Sequence, residues 1–299
     1  MRVRDPGWID DGILLLGTPT ARLYLIAGEQ WALLGGGVAW EVAPLEAQLD
    51  RFGVDRERIR YLVISHAHHD HCGAVPYLVR RYPHLETVSS PYCGHLLAKD
   101  KVAALMDDLN RKTLERLGKP GSHDGVALDF TPLQVSRTVA DGDRLALGGG
   151  LTLEFFETPG HSRCCLSVYV PERRALFPGD AIPYPASGRE GLTVTANHDY
   201  GDYLASLEKL SALPVELIGY EHGGAVTGPE AAEILPKGLE AAREHRERIR
   251  TRYAELGDLD VLVEEIASKY LELELFRQVP MDVMRAIVRR MVQSAVGKT

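Results

Sequence analysis

The sequence predicts an α/β fold followed by a helical C-terminal cap. Over the first 228 of its 299 residues, short apolar segments bounded by glycine alternate with amphipathic segments. Strands that alternate with helices are typical of the α/β class. From residue 229 onward the chain is rich in Ala, Glu and Arg. We therefore predict a first domain at 1–228 and a helical cap at 229–299.

The predicted strands are short runs of leucine, β-branched and aromatic residues that end at glycine or a polar turn. They are ILLLG, RLYLIA and WALLGGG near the start, RIRYLVIS at 58–65, LTLEFFE at 151–157, CCLSVYV at 164–170, RALFPG at 174–179 and VELIGY at 215–220. Apolar residues at helical spacing predict helices between these strands. These helices are expected at 73–82, 95–118 and 202–213.

The cap is predicted to contain three helices. Pro229 stands where the first turn of a helix accepts proline, and the helical pattern that follows runs to about Gly257. Two more helices are expected at 259–275 and 281–296, separated by Pro280. We expect their apolar faces to close over the first domain as a lid that restricts access and selects the substrate. Dimerisation or plain packing is the alternative role.

Composition limits the kinds of partner. The chain has 34 basic and 42 acidic residues and a formal charge of -8, whereas non-specific nucleic-acid binding needs a basic face. No stretch reaches the ~20 uncharged apolar residues of a membrane helix, and the first residues lack the apolar core of a signal peptide. Four cysteines form no CxxC pair. We therefore expect a cytoplasmic protein with reduced thiols that binds neither nucleic acid nor membrane.

The candidate metal ligands follow directly after predicted strands, where a rigid scaffold fixes the start of a loop. Gly160 and Gly179 precede two of them and permit tight turns. A single histidine is usually a surface or core residue, but five histidines and two aspartates after four strands predict a two-metal site. Imidazole and carboxylate suit zinc, iron or manganese. The candidates are His66, His68, Asp70 and His71 after RYLVIS, His161 after LEFFE, Asp180 after RALF, and His222 after VELIGY.

These residues carry a family resemblance. The run HAHHDH at 66–71 matches the HxHxDH signature of the metallo-β-lactamase superfamily, and TPGHS, FPGDA and EHGG resemble its three later ligand motifs in the same order. The resemblance covers about residues 10–228 and implies a four-layer αβ/βα sandwich with a dinuclear site at one edge. It implies one metal held by His66, His68 and His161, a second held by Asp70, His71 and His222, and Asp180 as the bridge between them.

Within the superfamily the chain is similar to the thioesterases of alkylquinolone signal biosynthesis, which act on 2-aminobenzoylacetyl-CoA and also serve as quinolone-response effectors. The similarity runs almost end to end and includes HDHCG at 69–73 and MRAIVRRM at 284–291. It implies iron beside zinc as the metal and an acyl-CoA-type thioester as the small-molecule substrate. The relatives have glutamate where this chain has Tyr184, so the identity of the substrate stays open.

The resemblance also implies the chemistry. In such a centre a hydroxide that bridges the two metals attacks a carbonyl, and a thiolate leaves readily because the pKa of a thiol is near ~8.5. We assign Asp70 to accept or relay a proton and Tyr184 to donate a hydrogen bond to the developing oxyanion or to a leaving oxygen. An aromatic wall of the site is the alternative for Tyr184. His69 and Cys72 are expected to support the fold.

Other functions remain open. A lactone, a glutathione thioester or a phosphodiester could be hydrolysed at the same centre. A regulatory effector that binds a protein partner through the cap is an alternative of another class, and a homodimer is compatible with either function. If the substrate carries CoA, the candidates for its phosphates are Arg243, Arg246, Arg250 and Arg285, although charged helix faces are usually just solvated.

Overall fold

Two seven-stranded sheets form the centre of the computed structural model, which describes residues 1–185, 191–273, 276 and 279–298. The strands are β1 Arg2–Val3, β2 Gly7–Asp10, β3 Ile13–Gly17, β4 Arg22–Ala27, β5 Trp31–Leu34, β6 Ile59–Val63, β7 Glu86–Ser89, β8 Ser122–His123, β9 Val126–Ala127, β10 Arg137–Thr138, β11 Arg144–Gly148, β12 Leu151–Glu157, β13 Leu166–Val170, β14 Ala175–Phe177, β15 Tyr184–Pro185, β16 Leu192–Thr193, β17 Leu217–Gly219 and β18 Ala225–Thr227. The α-helices are α1 Val42–Arg51, α2 His69–Cys72, α3 Val75–Arg81, α4 Pro91–Leu97, α5 Asp100–Arg116, α6 Tyr200–Ser211, α7 Pro229–Leu256, α8 Leu259–Leu271 and α9 Met281–Val296.

The two sheets pack face to face. One has the order β10-β7-β6-β5-β4-β3-β2 and the other the order β1-β18-β17-β14-β13-β12-β11. Apolar side chains of both sheets form one shared cluster, and the rings of Tyr24 and Phe177 meet across it with centroids 4.9 Å apart. Because every strand alternates its side chains between two faces, each sheet also presents an outer face that must be covered.

Helices cover both outer faces. Helices α1, α3, α4 and α5 pack on the sheet that contains β6, while α6 and α7 pack on the sheet that contains β14. Helices α8 and α9 extend the same apolar cluster by packing against other helices, α8 against α7 and α9, and α9 against α6 and α7. The chain is thus a four-layer αβ/βα sandwich with C-terminal helices, and the predicted fold class is confirmed. Among the described residues, none of the helices combines the length and the apolar run needed to cross a bilayer.

The predicted elements differ from the observed ones mainly at their ends. The helix predicted at 281–296 coincides with α9. The segment 95–118 instead forms parts of two helices, α4 and α5. The strand predicted at 164–170 is shorter, since β13 begins at Leu166. Helix α8 ends at Leu271, and positions 274 and 275 of the predicted helix lie outside the described residues. Helix α7 begins at Pro229, although the domain boundary itself stays a prediction.

The cap packs against the chain segment that leads into α6. The Tyr270 hydroxyl on α8 donates to the carbonyl oxygen of Val194 over 2.6 Å, and the backbone N–H of Tyr200 donates to Ser294 Oγ on α9 over 2.6 Å. Arg290 also donates to the carbonyl oxygen of His198. The cap therefore fixes the segment from 194 to 200, which contributes to the site described next.

Candidate metal centre

Four strands end at the same edge of the sandwich. Strands β12, β14 and β17 run in the same direction within one sheet, because β12 and β14 are both antiparallel to β13 and β17 is parallel to β14. Strand β6 belongs to the other sheet, and the N–H of Leu166 donates to the carbonyl oxygen of Ser65 just after β6 over 2.8 Å. The loops that follow these strands therefore meet at one place.

Two glycines allow the loops to approach closely. Gly179 has φ +56°, and a Cβ atom there would lie 3.0 Å from Cβ of Ser65. Gly160 has φ +131°, and a Cβ atom there would lie 2.3 Å from Cα of Tyr203 in α6. Because L side chains rarely adopt these backbone angles, both positions favour glycine. They bring the following residues, Asp180 and His161, to the edge.

One group of three donors is formed entirely by histidines. Nδ1 of His68 lies 3.0 Å from Nε2 of His66 and 3.0 Å from Nε2 of His161. All three nitrogens fall within the 4.8 Å separation that one metal ion can bridge, given metal–nitrogen bonds of about 2.0–2.1 Å. The donor set suits zinc or iron.

The second group combines two histidines with a carboxylate. Nε2 of His71 lies 3.2 Å from Nε2 of His222, and each of these nitrogens lies 3.5 Å from Oδ2 of Asp70. The Asp70 side chain is 45% exposed, whereas those of His71 and His222 are almost completely buried. This group is therefore open to solvent on the Asp70 side.

Asp180 stands between the two groups. Its Oδ2 atom lies 3.2 Å from Nε2 of His71, 3.3 Å from Nε2 of His161 and 3.6 Å from Nε2 of His222. It also lies 4.0 Å from Nε2 of His66. Burial alone would raise the pKa of Asp180, but the surrounding histidines hold it well below its usual range. One ionised oxygen thus faces donors of both groups.

The structure brings all seven sequence-predicted ligands together, in the two groups and with the shared carboxylate that the resemblance implies. Their coordination of metal stays a prediction. Three groups of these side chains could each hold an ion.

Most of the histidine rings are fixed through the nitrogen that faces away from the centre. Nδ1 of His161 donates to the carbonyl oxygen of Thr195 over 2.9 Å, and Nδ1 of His222 donates to that of Thr20 over 2.7 Å. Because a carbonyl only accepts, the proton must sit on Nδ1 and the lone pair on Nε2. These partners preset both the ring orientation and the tautomer that metal binding needs.

Glu221 contacts the centre and was not among the residues predicted from the sequence. Its buried carboxylate accepts a hydrogen bond from Nδ1 of His71 and another, of 3.1 Å, from Ser65 Oγ. Burial would lower the pKa of His71, but the carboxylates of Asp180, Asp70 and Glu221 raise it well above its usual range. The available signal was a glutamate that follows the apolar run LIGY directly before His222.

The other predicted residues lie around the centre. Tyr184 is buried, with its ring centroid 6.2 Å from that of His222, and burial keeps its pKa well above the usual value. His69 turns away, since its Nε2 lies 2.7 Å from Asn110 Oδ1. Cys72 donates through Sγ to the carbonyl oxygen of His68 over 3.1 Å. Tyr184 is therefore placed as a neutral phenol beside the second donor group, while His69 and Cys72 contact the fold.

The four arginines considered for CoA phosphates have partners within the chain. Arg243 pairs with Glu208 at 2.5 Å, and Arg285 forms two contacts with Glu264, at 2.7 and 2.9 Å. Arg246 and Arg250 both donate to the carbonyl oxygen of Ala295. These contacts reduce their availability to a ligand.

Known proteins share this fold and sequence pattern. A family model described as the metallo-beta-lactamase superfamily matches residues 21–222. A metallo-beta-lactamase fold-containing protein of Sulfurisphaera tokodaii is 25% identical over 256 residues, which are 85% of this chain and 89% of that protein. An atrochrysone carboxyl ACP thioesterase of Aspergillus fumigatus is 26% identical over 214 residues, 71% of this chain but only 50% of that protein. The crystal structure of a metallo-beta-lactamase family protein from Thermus thermophilus superposes with a TM-score of 0.66 at 20% identity, covering 96% of this chain and 93% of that one.

Proposed function

Because the chain belongs to the metallo-β-lactamase superfamily, whose members are generally metal-dependent hydrolases, we propose that it hydrolyses an acyl-CoA-type thioester at a dinuclear centre. The main support for a dinuclear centre is the position of Asp180 Oδ2. This atom lies between a group of three histidines and a group of two histidines and Asp70. A single shared oxygen with three further donors on each side supports two ions rather than one.

The donor set fits zinc or iron, since imidazole and carboxylate bind both and the set contains no thiolate. When bound, the two ions would polarise a substrate carbonyl and lower the pKa of water toward about 7. The chain supplies the fixed ring orientations through Thr20, Thr195 and Glu221. The residues present therefore fit the group that the family implies.

Two residues have roles besides holding metal. Oδ2 of Asp70 faces His71 and His222, which leaves the other oxygen of this half-exposed carboxylate to accept or relay a proton. The buried Tyr184 phenol lies beside His222 and can donate a hydrogen bond to an oxygen on which charge develops. Both residues adjoin the second donor group.

A thioester is favoured as the substrate for two reasons. A thiolate leaves without the protonation that an alkoxide or an amide nitrogen requires, so this reaction needs the least from the surrounding residues. The fungal relatives named as acyl-carrier-protein thioesterases also share about a quarter of their aligned residues with this chain.

Lactones, glutathione thioesters and phosphodiesters are the alternative substrates, and a regulatory effector acting through the cap is the alternative of another class.

Turnover by protein loaded separately with iron and zinc tests the proposal. The panel consists of acyl-CoA substrates, a lactone, a glutathione thioester and a phosphodiester, with thiol release as the main readout. We expect thiol release from acyl-CoA with at least one metal. Hydrolysis of another substrate class without thiol release from acyl-CoA would replace thioesterase with that activity.

Two histidine substitutions serve as a test variant and its control. His68→Ala removes a member of the three-histidine group and should abolish turnover and lower the metal content. His95→Ala changes an exposed histidine of α4 and should affect neither. If His68→Ala abolished turnover but left a cellular phenotype of the gene intact, the regulatory alternative would be the better account.

A further inference from the structure

The cap contains a cavity of about 650 Å³ between α7, α8 and β16. Its described lining includes none of the seven candidate metal ligands, so it is separate from the centre described above. Its volume falls within the roughly 300–1,000 Å³ of sites that bind small molecules.

The inner wall of the cavity is apolar. Val194, Ile249 and Leu262 line it and are at most 4% exposed, and Ile266 adds a partly buried side chain from α8. Such a wall favours an acyl chain or an aromatic ring over a small hydrophilic molecule, because burying apolar surface stabilises the complex.

A polar anchor lies beside this wall. His245 lines the cavity, and its Nδ1 shares a hydrogen bond of 2.5 Å with the hydroxyl of the buried Tyr200. Burial and then the nearby Arg248 lower the pKa of His245 to about 4, so the ring is neutral near pH 7. In the tautomer in which Nδ1 accepts from Tyr200, Nε2 carries the proton and can donate to a ligand.

Charge at the mouth of the cavity favours an anion. Within the described lining, three basic residues stand against two acidic ones. Arg252 and Lys269 both pair with Glu265, at 3.0 and 3.2 Å. Nη1 of Arg248 lies 3.7 Å from Glu244, a longer separation, and its side chain is 66% exposed. Arg248 is therefore the lining cation that is least tied to the protein.

From this arrangement we propose that the cap cavity binds an amphipathic carboxylate, with its apolar tail against Ile249, Leu262 and Ile266 and its carboxylate at Arg248 and His245. One chain segment also connects the cavity to the metal centre. Thr193 lines the cavity and pairs in register with Tyr184, and two residues further on the carbonyl oxygen of Thr195 holds His161. The inference concerns binding and does not depend on which reaction the centre catalyses.

Calorimetric titration of the full-length, metal-loaded protein with decanoate tests this proposal. Butyrate, which lacks the tail, and decanol, which lacks the charge, serve as reference ligands. We expect decanoate to bind at least about tenfold more tightly than either, since one charge-assisted hydrogen bond and several buried methylene groups each contribute this much. Equal binding of all three ligands, or no binding of decanoate, would overturn the proposal.

Matched variants locate the bound ligand. Ile266→Trp fills the cavity, and Arg248→Gln removes the lining cation at which we place the carboxylate. Each should weaken decanoate binding by about tenfold or more. Val261→Trp on the exposed face of α8 and Arg243→Gln outside the cavity should change it by less than about twofold.

Circular dichroism and metal analysis of each variant complete the test. If Ile266→Trp fails to fold, the comparison of the two arginine variants decides the question. Decanoate bound at the metal centre would bind equally to both tryptophan variants, which contradicts the proposal.

Discussion

The metal centre and the cap are stabilised in opposite ways. At the metal centre, buried polar atoms meet specific partners: Glu221 accepts from His71, and Thr20 accepts from His222. In the cap, Met284 and Val288 of α9 are buried almost completely among apolar side chains, whereas charged pairs such as Arg285 and Glu264 stay about half exposed. The metal centre depends mainly on hydrogen bonds of defined direction. The cap depends mainly on packed volume, with a few buried hydrogen bonds such as that from the N–H of Tyr200 to Ser294 Oγ.

This difference predicts which property each region controls. Loss of one partner at the metal centre leaves a buried donor or acceptor unsatisfied and changes how a ligand is held. Loss of volume in the cap reduces the free energy of unfolding but leaves the ligands in place. Four substitutions test this distinction, from the largest expected effect to the smallest.

Replacing the shared carboxylate should have the largest effect. Asp180→Asn removes the charge that faces donors of both groups, so we expect kcat/KM for the best thioester to fall by roughly 10³-fold or more. Metal analysis should show fewer than two ions per chain. Asp260→Asn, at an exposed cap residue paired with Arg289, is the control that should retain both properties. Two ions and normal turnover in Asp180→Asn would contradict a bridging role.

Truncation in the cap should reduce stability without affecting metal. Met284→Ala removes a side chain that is 1% exposed, and we expect the free energy of unfolding in urea to fall by about 2–5 kcal/mol. The neighbouring Val283→Ala, at a side chain that is 44% exposed, should cost much less. Loss of metal from folded Met284→Ala protein would show that the cap also holds the centre together.

Substitution of Glu221 should act on metal affinity. Glu221→Gln keeps the size of the side chain but removes the negative partner of His71, so we expect metal affinity to fall by about 10- to 100-fold. Competition with a chelator measures it. Glu230→Gln, at an exposed glutamate paired with Arg2, provides the control. Unchanged affinity in Glu221→Gln would limit Glu221 to a structural role.

The smallest effect is expected on the cap surface. Arg285→Gln breaks an exposed pair with Glu264, and such pairs contribute little to stability because water screens them. We expect the midpoint of thermal unfolding and the KM for an acyl-CoA to stay unchanged within error. A clear rise in KM would identify Arg285 as a contact of the CoA phosphates despite its partner in the free protein.

Much of the fold followed from local patterns. The helix predicted at 281–296 coincides with α9, because its apolar residues repeat at helical spacing after Pro280. The division of 95–118 between α4 and α5 could not be predicted from the sequence, because the helical spacing of apolar residues continues across the break at 98–99. Membership of the superfamily, expected from HxHxDH and the three later motifs, is confirmed.

The sequence by itself determined which side chains could serve as ligands, since each follows the end of a strand by no more than eight residues. Only the tertiary structure decided what holds them. Glu221 lies 150 residues from His71, and Thr20 lies 202 residues from His222. The cap cavity likewise exists only where α7 and α8 pack beside β16. Spacing along a chain sets local backbone geometry, whereas the partner of a buried ring depends on how distant segments pack.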